Sequence, residues 1–332
     1  MKKLLLFPPL EPERLVRLQQ TAGDMPVLNP PNDVEAAGLI VDATGFIGKI
    51  TPALLSRAQR LEWVQSPTAS LEHYIFPALI QHPCIVTNMR GLFSDIIADQ
   101  VMGYVIMFAR NLHTYVRQQM SRQWQPIGGA HQGFTGYGPG RISGIDRAHQ
   151  HLADCTLGIV GLGAIGGEIA LRARAFGMRV LAVDPVRREA PEGVELAGLD
   201  RTDALLAASD YVVIAAPHTP QSERSFGLAS FHQMKRSARF INIGRGAIVD
   251  LTALTQALNE GLIAGAALDV YETEPLPADH PLWGMENAIL TPHIAGYSPR
   301  IAERHLEVLL DNVGRHRRGE PLRNVVNKAE WF

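Results

Sequence analysis

Residues 157–166 read Leu157-Gly158-Ile159-Val160-Gly161-Leu162-Gly163-Ala164-Ile165-Gly166. An apolar run typical of a buried strand leads into glycines spaced as G-x-G-x-x-G, and a helical pattern follows. In that context Gly161 permits a tight turn, Gly163 lets the backbone approach a pyrophosphate, and Gly166 lets helix and strand touch. The free amides of the helix N-terminus then face the anion. The alternative is a glycine turn required only for packing.

Asp184 favours the binding site over the packing turn. It ends the next apolar run, Arg179 to Val183, and lies 18 positions after Gly166. A carboxylate at this point accepts both hydroxyls of a ribose and repels a 2′-phosphate, so the pattern predicts NAD as the cofactor. Arg187 and Arg188 follow closely and would partly offset that repulsion, which leaves NADP as the alternative.

Apolar runs along the rest of the chain predict the fold class. Runs at 156–160, 179–183, 211–216, 238–243, 264–270 and 288–291 alternate with helical patterns. They predict an α/β fold with a doubly wound parallel sheet, the Rossmann dinucleotide-binding arrangement. Shorter runs at 3–7, 38–41, 61–64 and 84–86 predict a second, smaller α/β domain of flavodoxin-like type. We expect one long helix from Ser94 to Gln119, and a last helix, capped by Ser298 and Pro299, that returns to the first domain.

Composition narrows the class of partner. With 332 residues the chain is longer than a domain built on one hydrophobic core, so two domains are expected. The net charge of −2 gives no electrostatic field that favours binding to nucleic acid or to a membrane surface. No stretch approaches the length of a membrane span, and the apolar run after Lys3 stops at Pro8, short of a signal peptide. With Cys84 and Cys155 as its two cysteines, the chain is expected in the cytoplasm, and no metal site is predicted. Residues 128–140 hold six glycines and predict a loop.

Three polar residues follow successive strands of the predicted sheet. Arg245 comes after the run ending at Ile243, Glu274 after the run ending at Val270, and His293 after the run ending at Thr291. Parallel strands place their carboxyl ends at one edge, where α/β sheets bind ligands. Oxidation of a 2-hydroxy acid needs a base, a cation for the carboxylate and a group that holds the base, and these three residues supply them. Each has an ordinary structural or surface role as its alternative, and His218 and His232 compete as the base on spacing.

Several motifs occur in order along the second half of the chain. They are Gly161-Leu162-Gly163-Ala164-Ile165-Gly166, Ala216-Pro217-His218-Thr219-Pro220, Asn242-Ile243-Gly244-Arg245-Gly246, Gly265-Ala266-Ala267-Leu268-Asp269-Val270-Tyr271-Glu272-Thr273-Glu274-Pro275-Leu276 and Thr291-Pro292-His293-Ile294-Ala295-Gly296. From Leu157 to about Ser298 the sequence resembles the D-isomer-specific 2-hydroxyacid dehydrogenases, a family that includes glyoxylate/hydroxypyruvate reductases and phosphoglycerate dehydrogenase.

The resemblance implies a role for each matching residue. Arg245 would bind the substrate carboxylate and keto oxygen, His293 would exchange the proton, and Glu274 would hydrogen-bond His293. The cofactor would contact the glycine motif, Asp184 and residues of the later motifs, namely Ala164, Ile165, Ala216, Pro217, Thr219, Ile243, Asp269 and Gly296. Asp269 would hold the nicotinamide carboxamide. The family also implies a homodimer, a substrate domain from residues 1–112 and 299–332, and a dinucleotide-binding domain from residues 113–298.

The first 110 residues resemble the family less closely. Gln65-Ser66-Pro67-Thr68-Ala69-Ser70 occupies the place of its carboxylate-binding loop, without the usual glycine near Ser70. Thr68, Ala69 and Ser70 are the expected substrate contacts there. The stretch 125–150 is longer than in most members, and we expect this insertion to border the active site of a neighbouring subunit.

The expected reaction is the reversible oxidation of a small D-2-hydroxy acid, run more readily as reduction of the 2-keto acid. No residue selects glyoxylate, hydroxypyruvate, pyruvate or a branched acid. Glu274 argues against formate dehydrogenase, whose pattern carries glutamine there. The alternative from another class is an NAD-sensing protein of the corepressor type, which would keep the fold and act through protein contacts.

Overall fold

The computed structural model describes residues 2–129 and 142–331. They form two compact units, one from the two chain ends, up to Phe93 and from Ser298 onward, and the other from Ser94 to Tyr297. Most of the predicted glycine-rich loop at 128–140, and with it the middle of the insertion predicted at 125–150, lies outside the described residues. Among the described residues, no helix combines the length and the apolar character needed to cross a bilayer.

The unit formed by the chain ends has a five-stranded parallel sheet. Its strands are β1 (Leu4–Phe7), β2 (Val27–Leu28), β3 (Gly45–Gly48), β4 (Trp63–Gln65) and β5 (Ile85–Thr87). The order β2-β1-β3-β4-β5 is the flavodoxin-like order, which confirms that expectation. Successive residues of β1 face opposite sides, so Leu5 packs into one core cluster and Leu4 and Leu6 into another.

Helices cover this sheet. In the first segment they are α1 (Pro12–Ala22), α2 (Asp33–Leu39), α3 (Pro52–Leu55) and α4 (Pro77–Gln81). The strand predicted at 38–41 was wrong, because those residues end α2 and continue as a 3₁₀ turn, Ile40–Asp42. Asn32 caps α2 by accepting the Glu35 amide, and Ala36 and Ile40, one helical turn apart, are fully buried. The strand that fills the central position is β3 instead.

The unit from Ser94 to Tyr297 has a seven-stranded parallel sheet. Its strands are β6 (Thr156–Val160), β7 (Arg179–Val183), β8 (Val194–Ala197), β9 (Tyr211–Ile214), β10 (Arg239–Asn242), β11 (Gly265–Leu268) and β12 (Ala288–Leu290). The order β12-β11-β10-β9-β6-β7-β8 reverses direction at β6, which confirms the doubly wound prediction. Ligands of such sheets bind outside the carboxyl ends of the strands at this switch point.

The helices of this unit pack on both faces of its sheet. They are α5 (Ser94–Ala109), α6 (Leu112–Met120), α7 (Gly144–Ala148), α8 (Ala164–Ala175), α9 (Thr202–Ala208), α10 (Leu228–Gln233) and α11 (Leu251–Asn259). The single helix predicted over 94–119 is two helices, α5 and α6, because Asn111 adopts a left-handed conformation, φ 54°, between them.

Helix α5 belongs to the second unit, although we predicted the domain boundary at 112/113. Its buried residues Val101, Val105 and Phe108 join the core cluster of β6 and α8, and α5 packs along α8. The compact units therefore divide at 93/94.

The last helix, α12 (Ile301–Arg318), belongs to the unit of the chain ends and packs on α1. Ser298 and Pro299 precede it as a turn, in which Ser298 accepts the Ile301 amide through its carbonyl and the Arg300 amide through its hydroxyl. The helix thus begins two residues later than a cap at Ser298 implied.

Candidate active site

The glycine motif forms a turn that joins β6 to α8. Gly161 has φ +95°, and a Cβ built on it would lie 2.8 Å from the Ala216 amide nitrogen. A Cβ on Gly166 would lie 2.1 Å from the Gly161 carbonyl oxygen. No side chain can occupy either position, so glycine brings α8 directly onto the end of β6.

Gly163 differs from these two glycines because its surroundings are open. It is the N-cap of α8, and a Cβ built there would meet nothing within 4 Å. The amides of Ala164 and Ile165 begin the helix at the switch point of the sheet. An open backbone at the start of a twelve-residue helix suits the pyrophosphate of a dinucleotide, so these residues fit the predicted cofactor.

Asp184 directly follows β7 and is buried. Its Oδ2 accepts the Leu162 amide at 2.8 Å, and its Oδ1 accepts the amides of Val186 and Arg187 at 2.9 and 2.8 Å. The carboxylate therefore ties the glycine turn to the loop after β7, a role that sequence reasoning missed. A cleft of about 430 Å³ lies beside this loop, lined by Pro185, Arg187, Arg188, Leu196, Ala197, Gly198 and Leu199.

The later cofactor candidates follow the neighbouring strands at the same edge. Ala216 and Pro217 come after β9, whose continuation at Ala215 donates to the Val160 carbonyl. Thr219 is buried, and its amide donates a hydrogen bond to the Ser222 hydroxyl oxygen at 2.8 Å. Ile243 is buried at the end of β10. Their strands, β6, β9 and β10, are adjacent in the sheet.

The turn that carries Arg245 is held by its neighbours. Asn242 is buried and uses its side chain twice, accepting the Gly244 amide and donating to the Arg245 carbonyl, at 3.1 and 3.0 Å. A Cβ on Gly246 would lie 1.8 Å from the Tyr271 carbonyl carbon, so backbone packs against backbone there. The half-buried Arg245 side chain donates to the Gly244 carbonyl at 2.8 Å.

Glu274 and His293 form the predicted pair. His293 Nδ1 lies 2.7 Å from Glu274 Oε2, and both side chains are partly exposed. The other carboxylate oxygen, Oε1, accepts the Tyr271 amide at 3.0 Å. Because Tyr271 also packs against Gly246, the turn of Arg245 and the pair meet at one loop. The competing His232 lies exposed on α10.

Asp269 is 2% exposed and faces the turn of His293. Its Oδ1 accepts the Thr291 hydroxyl at 2.6 Å and the Ile294 amide at 3.0 Å, and its Oδ2 accepts the Ala295 amide at 2.9 Å. The expected contact with a nicotinamide carboxamide stays a prediction. Gly296, the last cofactor candidate, directly follows this turn.

The expected substrate contacts Thr68, Ala69 and Ser70 lie in the unit of the chain ends, in a loop after β4. The Thr68 hydroxyl donates to the Ser70 carbonyl at 2.6 Å, and the Thr68 carbonyl accepts the Met89 amide at 3.0 Å. Asn88 donates through its side chain to the Ala69 carbonyl at 2.7 Å. These bonds order the loop without the glycine that the resemblance led us to look for.

A family model described as "D-isomer specific 2-hydroxyacid dehydrogenase, NAD binding domain" matches residues 102–295. The chain belongs to the D-isomer specific 2-hydroxyacid dehydrogenase family. It is 38% identical over 250 residues to a glyoxylate reductase of Korarchaeum cryptofilum, an alignment that covers 73% of this chain and 69% of the relative. It is 32% identical to glyoxylate/hydroxypyruvate reductase B of Citrobacter koseri, over 98% of this chain and 97% of that one.

A solved structure shares the fold of this dehydrogenase over nearly the whole chain. It is a D-isomer specific 2-hydroxyacid dehydrogenase from Xanthobacter autotrophicus Py2 in complex with NADPH and MES, with a TM-score of 0.79 and 26% identity. The match covers 99% of this chain and 98% of that one.

Membership of the family confirms the predicted reaction class. The protein is a nicotinamide-dependent oxidoreductase that interconverts 2-hydroxy acids and 2-keto acids. The comparisons give no support to the corepressor alternative, since the relatives are named as reductases and dehydrogenases.

Proposed function

We propose that this dehydrogenase reduces a small 2-keto acid to the D-2-hydroxy acid, with His293 as its acid and base, Glu274 as the partner of His293, and Arg245 as the anchor of the substrate carboxylate. The observation that carries the proposal is the 2.7 Å contact between His293 Nδ1 and Glu274 Oε2. It lies beside the turn of Arg245, at the carboxyl edge of the sheet where ligands bind.

The protein groups divide the chemistry among them. A bound nicotinamide supplies the hydride in reduction and accepts it in oxidation. His293 passes a proton from Nε2 to the keto oxygen as the carbonyl carbon is reduced, and takes it back in the reverse direction. Glu274 accepts a hydrogen bond from Nδ1, since an ionised carboxylate only accepts, and this assigns the tautomer and stabilises the imidazolium. Arg245 offers a planar fork that suits a carboxylate.

The residues of the second unit are proposed to bind the cofactor. Gly161, Gly163, Ala164, Ile165 and Gly166 would hold the pyrophosphate, and Asp184 the adenosine ribose. Ala216, Pro217, Thr219, Ile243, Asp269 and Gly296 would line the nicotinamide end. We assign the dinucleotide-binding role to this unit and the substrate-binding role to the unit of the chain ends, with Thr68, Ala69 and Ser70 offering polar groups to the substrate carboxylate.

NAD is the proposed cofactor, with weaker use of NADP. Asp184 directly follows β7, where a carboxylate would repel a 2′-phosphate, and this supports NAD over NADP. Arg187 and Arg188 line the adjacent cleft and supply the positive charge that would allow some use of NADP. The Xanthobacter structure contains NADPH, which supports some use of NADP by this chain.

A homodimer in the cytoplasm is the proposed form of the enzyme. Leu112, Val116 and Met120 recur every fourth residue on α6 and form an exposed apolar stripe, and Trp124, beyond the end of the helix, is exposed as well. Met120 and Trp124 are 82% and 87% exposed in the single chain. Covering apolar side chains of this size with a second copy of the chain lowers the free energy and so favours a dimer.

The proposal is tested with a panel of 2-keto acids and both reduced nucleotides. Glyoxylate, hydroxypyruvate, pyruvate and one branched 2-keto acid are assayed by the loss of nicotinamide absorbance. We expect the highest kcat/KM for the small acids glyoxylate and hydroxypyruvate, the substrates named for the relatives, and a higher value with NADH than with NADPH. No turnover above background on any acid would contradict the proposal.

A further inference from the structure

A series of partly buried hydrogen bonds ends at the turn that carries His293. Its first members lie on α5, where Gln100 Nε2 donates to the Tyr104 hydroxyl at 3.0 Å. Tyr104 is almost fully buried, and its hydroxyl oxygen lies 2.5 Å from Thr291 Oγ1. Thr291 in turn donates to Asp269 at 2.6 Å. The hydroxyls of Tyr104 and Thr291 therefore each have two hydrogen-bond partners.

The donors of these hydrogen bonds all point the same way, toward Asp269. An ionised carboxylate only accepts hydrogen bonds, so the single hydroxyl proton of Thr291 goes to Asp269. Thr291 must then accept from Tyr104, and Tyr104 accepts from the amide of Gln100. Three donors converge on Asp269 in all, which compensates the burial of its charge.

A second tyrosine holds Thr291 from its backbone side. The Tyr271 hydroxyl lies 3.0 and 3.1 Å from the carbonyls of Thr291 and Leu268 and shares its one proton between them. The amide of the same residue donates to Glu274 at 3.0 Å. Thr291 is thus held at its hydroxyl by Tyr104 and at its carbonyl by Tyr271.

What these contacts hold is an unfavourable backbone conformation. His293 has φ +53°, in the left-handed region that non-glycine residues rarely adopt. The next two amides, of Ile294 and Ala295, both donate to Asp269, and the His293 amide donates to the Thr291 carbonyl at 3.1 Å. Such a conformation persists where the surrounding contacts determine it.

We propose that Tyr104 and Thr291 are positioning residues for His293, acting through Asp269. Loss of either hydroxyl loosens the carboxylate that pins the turn, and the imidazole leaves the orientation in which Nδ1 meets Glu274. The inference rests on the proposed role of His293 as acid and base. Neither side chain is proposed to touch the substrate or the cofactor.

The test compares Tyr104→Phe and Thr291→Val with a matched control, Tyr211→Phe. Tyr211 is also a buried tyrosine of this unit, and its hydroxyl donates to Gln150 at 2.6 Å, away from Asp269. We expect kcat to fall roughly threefold to tenfold for Tyr104→Phe and roughly tenfold to hundredfold for Thr291→Val, since the latter removes a hydrogen bond to a charged group. The Kd of NADH should change much less than kcat in both, because the proposed contacts of the pyrophosphate and the adenosine ribose are far along the chain from Asp269 and are unchanged.

Two readouts separate positioning from a general loss of structure. The solvent deuterium isotope effect on kcat should rise in Tyr104→Phe and Thr291→Val, because a misplaced acid makes proton transfer slower than the other steps. Thr291→Ser, which keeps the hydroxyl, should restore most of kcat. Tyr211→Phe should change neither the isotope effect nor kcat, whatever it does to thermal stability.

Two results would overturn the inference while His293→Ala still shows the large loss of kcat expected of the acid and base. One is an unchanged kcat and isotope effect in both Tyr104→Phe and Thr291→Val. The other is an equal loss in Tyr211→Phe, which would indicate an effect of any buried hydroxyl. If His293→Ala keeps full activity, the proposed function itself fails, and the two failures are thereby distinguished.

Discussion

At the scale of single residues, His293 combines a left-handed backbone with a ring that is hydrogen-bonded through Nδ1. The second ring nitrogen is the one left to the substrate in the proposed reaction. A positioned histidine of this kind typically contributes a factor of about 10² to 10⁴ to turnover.

His293→Ala should therefore lower kcat by a factor on the order of 10² to 10⁴, while NADH binding, measured by fluorescence titration, is retained. His232→Ala serves as the control, because His232 competed for the role on spacing and lies exposed on α10. A loss in the control and none in His293→Ala would transfer the role to His232.

Asp184 has both a structural and a proposed binding role. Its carboxylate accepts three backbone amides, so Asp184→Ala removes support from the glycine turn as well as a partner for the ribose. The ratio of kcat/KM with NADH to kcat/KM with NADPH separates the two roles. Loss of support for the glycine turn should lower both values equally, whereas loss of the ribose contact should lower only the value for NADH. We expect kcat/KM to fall roughly tenfold more with NADH than with NADPH. Equal losses with both nucleotides would contradict the ribose assignment.

At the scale of elements, the turn of Arg245 depends on close packing of two loops. Gly246 lies against the backbone of Tyr271 and Glu272, where an added Cβ would lie 1.8 Å from the Tyr271 carbonyl carbon. The backbone must move to admit even one methyl group, and such overpacking costs about 1–3 kcal/mol.

Gly246→Ala should lower the free energy of unfolding by about 1–3 kcal/mol and raise KM for the keto acid, because Arg245 moves with the turn. Gly227→Ala is the matched control, since an added Cβ there meets nothing within 4 Å. Chemical denaturation and steady-state kinetics on both variants provide the measurement. A Gly246→Ala enzyme with wild-type stability would show that the loops are not tightly packed.

Elements with a strong local pattern could be predicted, and those without one could not. Strands β6 and β7 have the predicted bounds, because their apolar runs are continuous and end at Gly161 and Asp184. Strand β3 was missed since two of its four residues are glycines, needed where a Cβ on Gly45 would come within 2.9 Å of Leu4. Strand β8 was missed because it is a half-exposed edge strand with little apolar signal.

At the scale of the whole molecule, His316 on α12 joins the two ends of the chain. Its Nε2 lies 3.2 Å from the Thr44 hydroxyl, its ring packs near Trp63, and its carbonyl accepts the Lys2 ammonium. Burial lowers the pKa of His316 from 6.5 to about 4. The folded state therefore keeps this ring neutral where the unfolded chain protonates it.

Stability from this site is present above pH 6.5 and is lost as the pH falls from 6.5 toward 4, because the unfolded state then binds more protons. Between pH 7 and pH 5 the wild type should lose roughly 2 kcal/mol more unfolding free energy than His316→Gln, whose amide can still bond Thr44. Urea unfolding at the two pH values measures the difference. Burial also lowers the pKa values of His82, His113 and His305, so the comparison with the variant isolates His316. If the unfolding free energies of the wild type and His316→Gln fall equally between the two pH values, His316 does not contribute to the pH dependence of stability.

The exposed stripe on α6 tests the proposed dimer. Val116→Glu combined with Met120→Glu should give a monomer by light scattering, because two charges then face the apolar contact. Val34→Glu is the control, since Val34 is 83% exposed on α2 and is not one of the stripe residues. A dimer that survives the double substitution would place the interface elsewhere.

The sequence by itself determined the α/β class, the glycine turn with Asp184, and the family to which the chain belongs. These follow from short-range patterns, since glycine spacing and apolar periodicity act within one strand and the turn after it. Only the tertiary structure decided how His293 is held. Tyr104 on α5 lies 187 residues before Thr291, and Asp269 lies 22 residues before Thr291. The contact of Tyr104 with Thr291 therefore arises because α5 packs against the sheet. No local pattern marks residues that meet only because distant elements pack together.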